Sequence, residues 1–220
     1  MTARHPGPLA APALANTKRG PILVGVAVLA LLGAMALDTA VVQIGSAADT
    51  RQQAFSPDAF GTAEFPRIQA LIAEKAIEAQ VLAPEVLADK AAAGAKYGTA
   101  SSTGTIMMVK LTATAGAAKA GIYDLTVPGL PPEIRVRLQS GPAINGTDLR
   151  DAPGDIAFGA FKNQIEYQDA GAGLNRAMKA AVLDGIDTAN LAGKTLEVTG
   201  AFRLVNPKNW LITPSSVIVK

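Results

Sequence analysis

The sequence predicts an α+β protein: an N-terminal transmembrane helix, a helical hairpin, and a small antiparallel β-barrel with helices inserted among its strands. Three observations carry this. An uncharged apolar run occupies Pro21 to Leu37. Apolar residues recur at helical spacing between residues 57 and 98. From Thr103 onward the pattern changes to period two, which is the signature of half-buried strands.

The leader, residues 1–20, is rich in Pro and Ala and buries little, so it is expected to be disordered and cytoplasmic. Arg4, Lys18 and Arg19 are its charges, with no acid among residues 1–37. The apolar run that follows is at the short end for a bilayer span, and Ala40–Val42 extend it past Asp38 and Thr39. A helix apolar on every side with a basic flank at one end only reads as membrane-inserted, N-terminus in the cytoplasm. Residues 21–42 are therefore an anchor in the inner (cytoplasmic) membrane or a cleaved signal sequence. Ala34-Met35-Ala36 and Ser46-Ala47-Ala48 are the possible cleavage sites, and the length of the run favours an uncleaved anchor. Beyond the leader, 17 basic residues face 18 acidic ones, so the pI of 8.9 reflects topology and not a nucleic-acid footprint.

Residues 43–55 read as polar and extended. Ser56-Pro57-Asp58 starts a helix, with Ser56 as N-cap and Pro57 at the first helical position. Phe60, Phe65, Ile68, Leu71, Ile72, Ala76 and Ile77 give it an apolar stripe, and Pro66 offers a break. Ala83-Pro84-Glu85 starts a second helix that Gly98 ends, so residues 43–98 are a helical segment and 57–98 a hairpin. Thr105–Leu111, Gly121–Val127 and Glu133–Gln139 are strands, the last with Arg135 and Arg137 on one face. Residues 141–155 form a long polar loop. Residues 157–168 read as a short helix or irregular turn, and 171–184 as a firm helix. Thr195–Leu204 and Trp210–Val219 are the last strands, the final one interrupted by Pro214 at an edge or a bulge. Three strands, helices, then two strands is the order of an OB-like barrel spanning residues 99–220, with helices between strands three and four.

The chemistry available is narrow. There is no Cys, and the single His is His5, so thiolate chemistry, disulfides, Cys-ligated zinc and a Ser-His-Asp site are excluded from the folded region. No phosphate-binding loop, dinucleotide-binding glycine pattern or zinc-protease motif occurs. The densest polar cluster is Asn145, Thr147, Asp148, Arg150, Asp151 and Asp155. Its three carboxylates suit a hard cation in type, but their spacing fits no EF-hand loop, and turn chemistry explains them better. Asp184, Asp187 and Asn190 read as caps. Glu166 and Asp169 lack the aromatic platform that glycoside chemistry uses. An OB-like barrel binding oligonucleotides needs stacking aromatics and a positive groove, and the first three strands hold only Tyr123. The expectation is a non-enzymatic protein with no metal, no cofactor and no nucleic-acid partner.

Several phrases, in order, resemble a bacterial family of predicted periplasmic lipoproteins of unknown function. They are Ala54–Phe60 (AFSPDAF), Lys96-Tyr97-Gly98, Gly141–Ala152 (GPAINGTDLRDA), Phe158, Phe161, Asn163–Tyr167 (NQIEY), Gly193-Lys194, Thr199–Phe202 (TGAF) and Ile212-Thr213-Pro214. The resemblance implies a helical N-terminal part and an OB-like barrel, and genes often placed beside ribose-type sugar ABC transporters. It carries over no catalytic residue. Where such lipoproteins hold a lipidated Cys, this chain reads Met35–Thr39, so an uncleaved helix would replace the lipid. The resulting expectation is an accessory to a sugar or solute uptake system, with ABC transporter components as partners. Arg150, Asp151, Phe161, Asn163 and Gln164 are the candidate binding residues. The alternative is an envelope structural or assembly module acting through protein–protein contact.

Overall fold

The computed structural model describes residues 19–39, 55–102 and 104–220. Residues 1–18 of the expected leader, the expected end of the anchor at 40–42 and residues 43–54 of the polar stretch lie outside the described residues. Helix α1, Arg19–Asp38, contains an 18-residue run, Pro21–Asp38, long and apolar enough to cross a membrane. Its large apolar side chains from Ile22 to Leu37 are exposed. Such an apolar surface on every side is suited to lipid and not to water. It belongs to a unit of its own, residues 1–54, while residues 55–220 form a second unit.

The second unit starts with α2, Pro57–Lys75. Ser56 accepts from the Ala59 backbone N–H at 3.3 Å and Pro57 takes the first turn, as the sequence predicts. The break expected near Pro66 is absent. Pro66 lies on the exposed side, so water can satisfy the Thr62 carbonyl that loses its donor. Gly61, Phe65, Ile68 and Ile72 form the buried stripe.

The hairpin expected over 57–98 does not form. A two-residue strand β1, Ile77–Glu78, separates α2 from α3, Ala79–Ala88, and α4, Lys90–Tyr97. α3 starts before Pro84, and Asp89 ends it by capping α4, accepting from Ala91 and Ala92 N–H at 2.8 and 3.0 Å. The partner of α2 is instead α6, Gln164–Met178. The two helices approach so closely that a Cβ on Gly61 would stand 2.2 Å from the Gly173 carbonyl oxygen, and one on Gly173 would stand 1.9 Å from that of Pro57. Backbone meets backbone there, which only glycine allows.

The sheet is organised by β3, Gly104–Lys119. This strand runs eight residues past the Leu111 end that the sequence suggests. Its first half pairs antiparallel with β6, Thr195–Arg203, and its second half, from Thr114, with β4, Ile122–Thr126, in a ladder that shifts register between Ala115 and Ala118. The small residues Ala113–Lys119 carry no strong strand signal of their own; the two neighbouring strands impose the extended conformation. β4 pairs with β5, Arg135–Gln139, which runs parallel to β7, Asn209–Val219; β7 pairs antiparallel with β6. The pairing therefore returns to its start through β3, β4, β5, β7 and β6. β2, Gly98–Ser101, and β1 add to β3. The β5–β7 ladder ends at Ile212, so Pro214 has a ladder partner on one side only, Gly200 of β6, and the β6–β7 register shifts beside it at Thr199 and Gly200. Both the one-sided pairing and the register shift are where a residue without an N–H is tolerated.

One core joins helices and strands. Phe65, Ile68 and Ile72 of α2 share it with Met107, Leu138, Leu174 and Phe202. Trp210 stacks on Phe202 at 4.8 Å and donates to the Pro207 carbonyl at 2.8 Å. Tyr123 is buried, donating to Thr188 O and accepting from Leu191 N–H. It is thus a core residue and not a stacking platform. The polar loop 141–155 contains a one-turn helix, α5, Asp148–Asp151. Residues 158–160 make a 3-10 turn, and α6 begins at Gln164, earlier than the expected Gly171. Close packing on α2 outweighs the roughly 1 kcal/mol by which a helical glycine is disfavoured. A π turn, Lys179–Leu183, ends this helical stretch.

Candidate functional site

The loop before α5 is held by buried amides. Gln139 on β5 donates to Asn145 O and Thr213 Oγ1 and accepts from Asn145 N–H at 3.0 Å. Asn175 on α6 donates to the carbonyls of Ile144 and Gly146. These bonds fix where α5 sits over the sheet. The position matters because Leu149, Arg150 and Asp151 of α5 are all buried.

Arg150 and Asp151 form a buried ion pair, with Nε and Nη2 of Arg150 each 2.8 Å from Asp151 Oδ1. Arg150 Nη1 donates to Tyr167 O at 2.8 Å, and the guanidinium lies 3.6 Å from the centre of the Tyr167 ring. The other Asp151 oxygen accepts from Thr147 Oγ1 at 2.8 Å and from Arg203 Nη2 at 3.2 Å. Arg203, the last residue of β6, also donates to Thr147 Oγ1 and stands 3.3 Å from Asp148. Burial pushes the Asp148 carboxyl up to about 6; the Arg203 guanidinium pulls against this and the Asp151 charge adds to it. Asp155, the third carboxylate of the loop, points elsewhere, to Arg67 of α2 at 2.8 Å. The three acids therefore do not converge on one point.

Beside this network opens a cleft of about 910 Å³. Arg137 and Gln139 of β5, Arg203 of β6, and Asn209 and Leu211 of β7 line its sheet side. Thr147, Asp148 and Arg150 line a second side, and Phe158, Gln164, Tyr167 and Gln168 a third. A smaller groove of about 310 Å³ shares Ser102, Arg150, Phe158 and Tyr167 with it.

The five residues singled out from sequence divide accordingly. Arg150 and Gln164 line the cleft. Asp151 lies behind Arg150 and is 5% exposed. Asn163 is the N-cap of α6, accepting from Glu166 N–H at 2.9 Å, while Glu166 reaches back to Lys162 N–H. Phe161 packs into an aromatic group with Phe55, Phe60 and Tyr167 at 5.4–5.7 Å. Sequence reasoning missed Arg137 and Arg203 as site residues. Arg137 stood out only through the alternation of its strand, and nothing local places the end of β6 beside α5.

Comparison with known proteins gives two findings. The model of a family described as predicted periplasmic lipoprotein (DUF2291) matches residues 24–218. The crystal structure of an OB-fold protein from Thermotoga maritima is similar at a TM-score of 0.61 and 14% identity, covering 76% of this chain and 100% of that one. At that identity the likeness speaks for the fold alone. No curated protein matches the sequence.

Proposed function

The chain belongs to the predicted periplasmic lipoprotein family of unknown function, and from that membership we propose a membrane-anchored, non-enzymatic periplasmic accessory to solute uptake. α1 takes the place of a lipid anchor in the inner membrane, because the sequence has no Cys to lipidate. The strand cycle, with the OB-fold neighbour, supports an OB-like barrel carrying α5 and α6 between its third and fourth strands. The single observation that favours ligand binding is the polar cleft beside Arg150. A concave site with convergent donors is the form that small-molecule recognition takes. The folded region offers no His or Cys for proton transfer or attack, which favours binding over catalysis.

The second reading, an envelope assembly module, draws on the exposed side chains of Ile165 and Val205. Mild crosslinking of the tagged, membrane-extracted chain, followed by mass spectrometry, separates the two. Recovery of a transporter permease or its binding protein supports the uptake role. Recovery of envelope-assembly proteins, or of nothing above background, overturns it.

A further inference from the structure

The charge balance of the cleft points to the kind of solute it takes, an inference that rests on the solute-binding reading above. Arg150 is neutralised by Asp151. Arg203 directs Nη2 to Thr147, Asp148 and Asp151, but among the described residues its Nη1 has no hydrogen-bond partner and its buried Nε has none either. Arg137 feels the Asp124 charge but has no carboxylate bonded to it among the described residues. Among the described residues its one hydrogen bond joins Nη2 to the neutral Asn209 at 3.0 Å, and its Nε is also buried and unpartnered. The carboxylate opposite it on β4, Asp124, is taken by Arg135 through two bonds of 2.7 and 2.9 Å. Among the described residues no acid forms an ion pair with Arg137.

A guanidinium has five N–H donors in a fork that matches the two oxygens of a carboxylate or phosphate. Two such forks line one cleft, each with donors that no group among the described residues accepts. Their surroundings fit a hydroxylated body around that anion. Gln164 and Gln168 in the first turns of α6 line the cleft, and their amides bond to nothing among the described residues. Phe158 is half exposed at the same cleft and presents an apolar surface to the C–H groups of such a body.

We propose that the cleft binds the oxyanion of a small polyhydroxylated solute, a sugar acid or a sugar phosphate, with Arg137 and Arg203 as its anchors. Nothing in the unliganded chain needs to be broken for this at Arg137 except its contact with Asn209.

Isothermal titration of the full-length chain in detergent tests it, with D-gluconate, D-galacturonate, D-ribose 5-phosphate, inorganic phosphate and neutral D-ribose as probes. At least one hydroxylated anion is expected to bind roughly tenfold or more tightly than D-ribose, since charge-assisted hydrogen bonds are the stronger class. Which anion binds identifies the oxyanion as carboxylate or phosphate. Arg137→Gln is expected to weaken that binding about tenfold or more, with Tm held within about 2 °C. Arg203→Gln provides a second variant at the other anchor. Equal binding of D-ribose and the anions, or anion binding unchanged by both variants, overturns the anion inference and leaves solute binding standing. Binding of none of the five overturns both.

Discussion

Arg150 covers the ring of Tyr167 at 3.6 Å and also donates to that residue's backbone carbonyl at 2.8 Å. One guanidinium thus fixes both the side chain and the main chain of the first turns of α6, while its Nε–Nη2 edge is held by Asp151. The wall of the cleft is built by this pair of contacts, and Arg150 itself has little freedom left for a ligand.

Arg150→Ala and Asp151→Ala are accordingly expected to destabilise the folded unit strongly. Asp151→Ala strands Arg150 as a buried charge, while Arg150→Ala leaves Asp151 with Arg203 and Thr147 and removes the contacts to Tyr167; breaking such a buried pair costs about 3–5 kcal/mol and lowers Tm by on the order of 10 °C. Thermal unfolding of each variant checks this. A Tm unchanged within about 2 °C would show the pair to be dispensable for folding.

Gly173→Ala reverses the usual effect of that exchange in a helix. Alanine is intrinsically better by about 1 kcal/mol, but its Cβ would stand far inside contact distance of the Pro57 carbonyl. α2 and α6 must then separate, and the expected net loss is about 1–3 kcal/mol or more. Denaturant titration measures the sign directly, and a stabilised variant would contradict the close approach.

Asp148 makes stability depend on pH. Its ordinary pKa of 3.8 describes the unfolded chain, and burial raises it to about 6 in the fold. The folded state thus holds the proton more tightly, so this contribution favours folding at low pH and is lost as pH rises from about 4 through 6. The full difference amounts to roughly 3 kcal/mol. Arg203 and Asp151 are the charged groups that face the same carboxyl. Asp148→Asn is expected to be more stable than the parent at pH 7.5, with the gap closing at pH 4. Tm measured across this range gives the comparison, and a gap independent of pH would contradict the raised pKa.

The anchor reading predicts that the full-length chain stays in the membrane pellet after an alkaline carbonate wash, with its N-terminus intact by mass spectrometry. A soluble product starting at Leu37 or Asp49 would mean that the apolar run is a cleaved signal. Arg in place of Leu29, near the middle of α1, should impair insertion, because a central Arg costs about 2.5–3.5 kcal/mol on insertion scales.

Much of the architecture was legible because it is written in short-range patterns. The cap at Ser56, the alternation of Arg135–Gln139 and the uncharged run of α1 each depend only on neighbours in the chain. The same is true of Asn163, although its residue type suggested a ligand contact and its backbone position made it a cap. The candidate site was half visible for the opposite reason. The dense polar phrase around Arg150 marked one wall, but Arg150 and Asp151 proved to satisfy each other.

Local composition and periodicity therefore determined the membrane-type helix, the strand-rich second half and the exclusion of His and Cys chemistry, since these follow from residue types and their spacing. Only the tertiary structure decided that α2 packs on α6, that β3 continues to Lys119, and that Arg137 and Arg203 face one cleft. Each of these joins segments distant in sequence. Whether a glycine admits a neighbouring backbone, or a guanidinium finds a carboxylate, depends on what the rest of the chain brings beside it, and no local pattern encodes that.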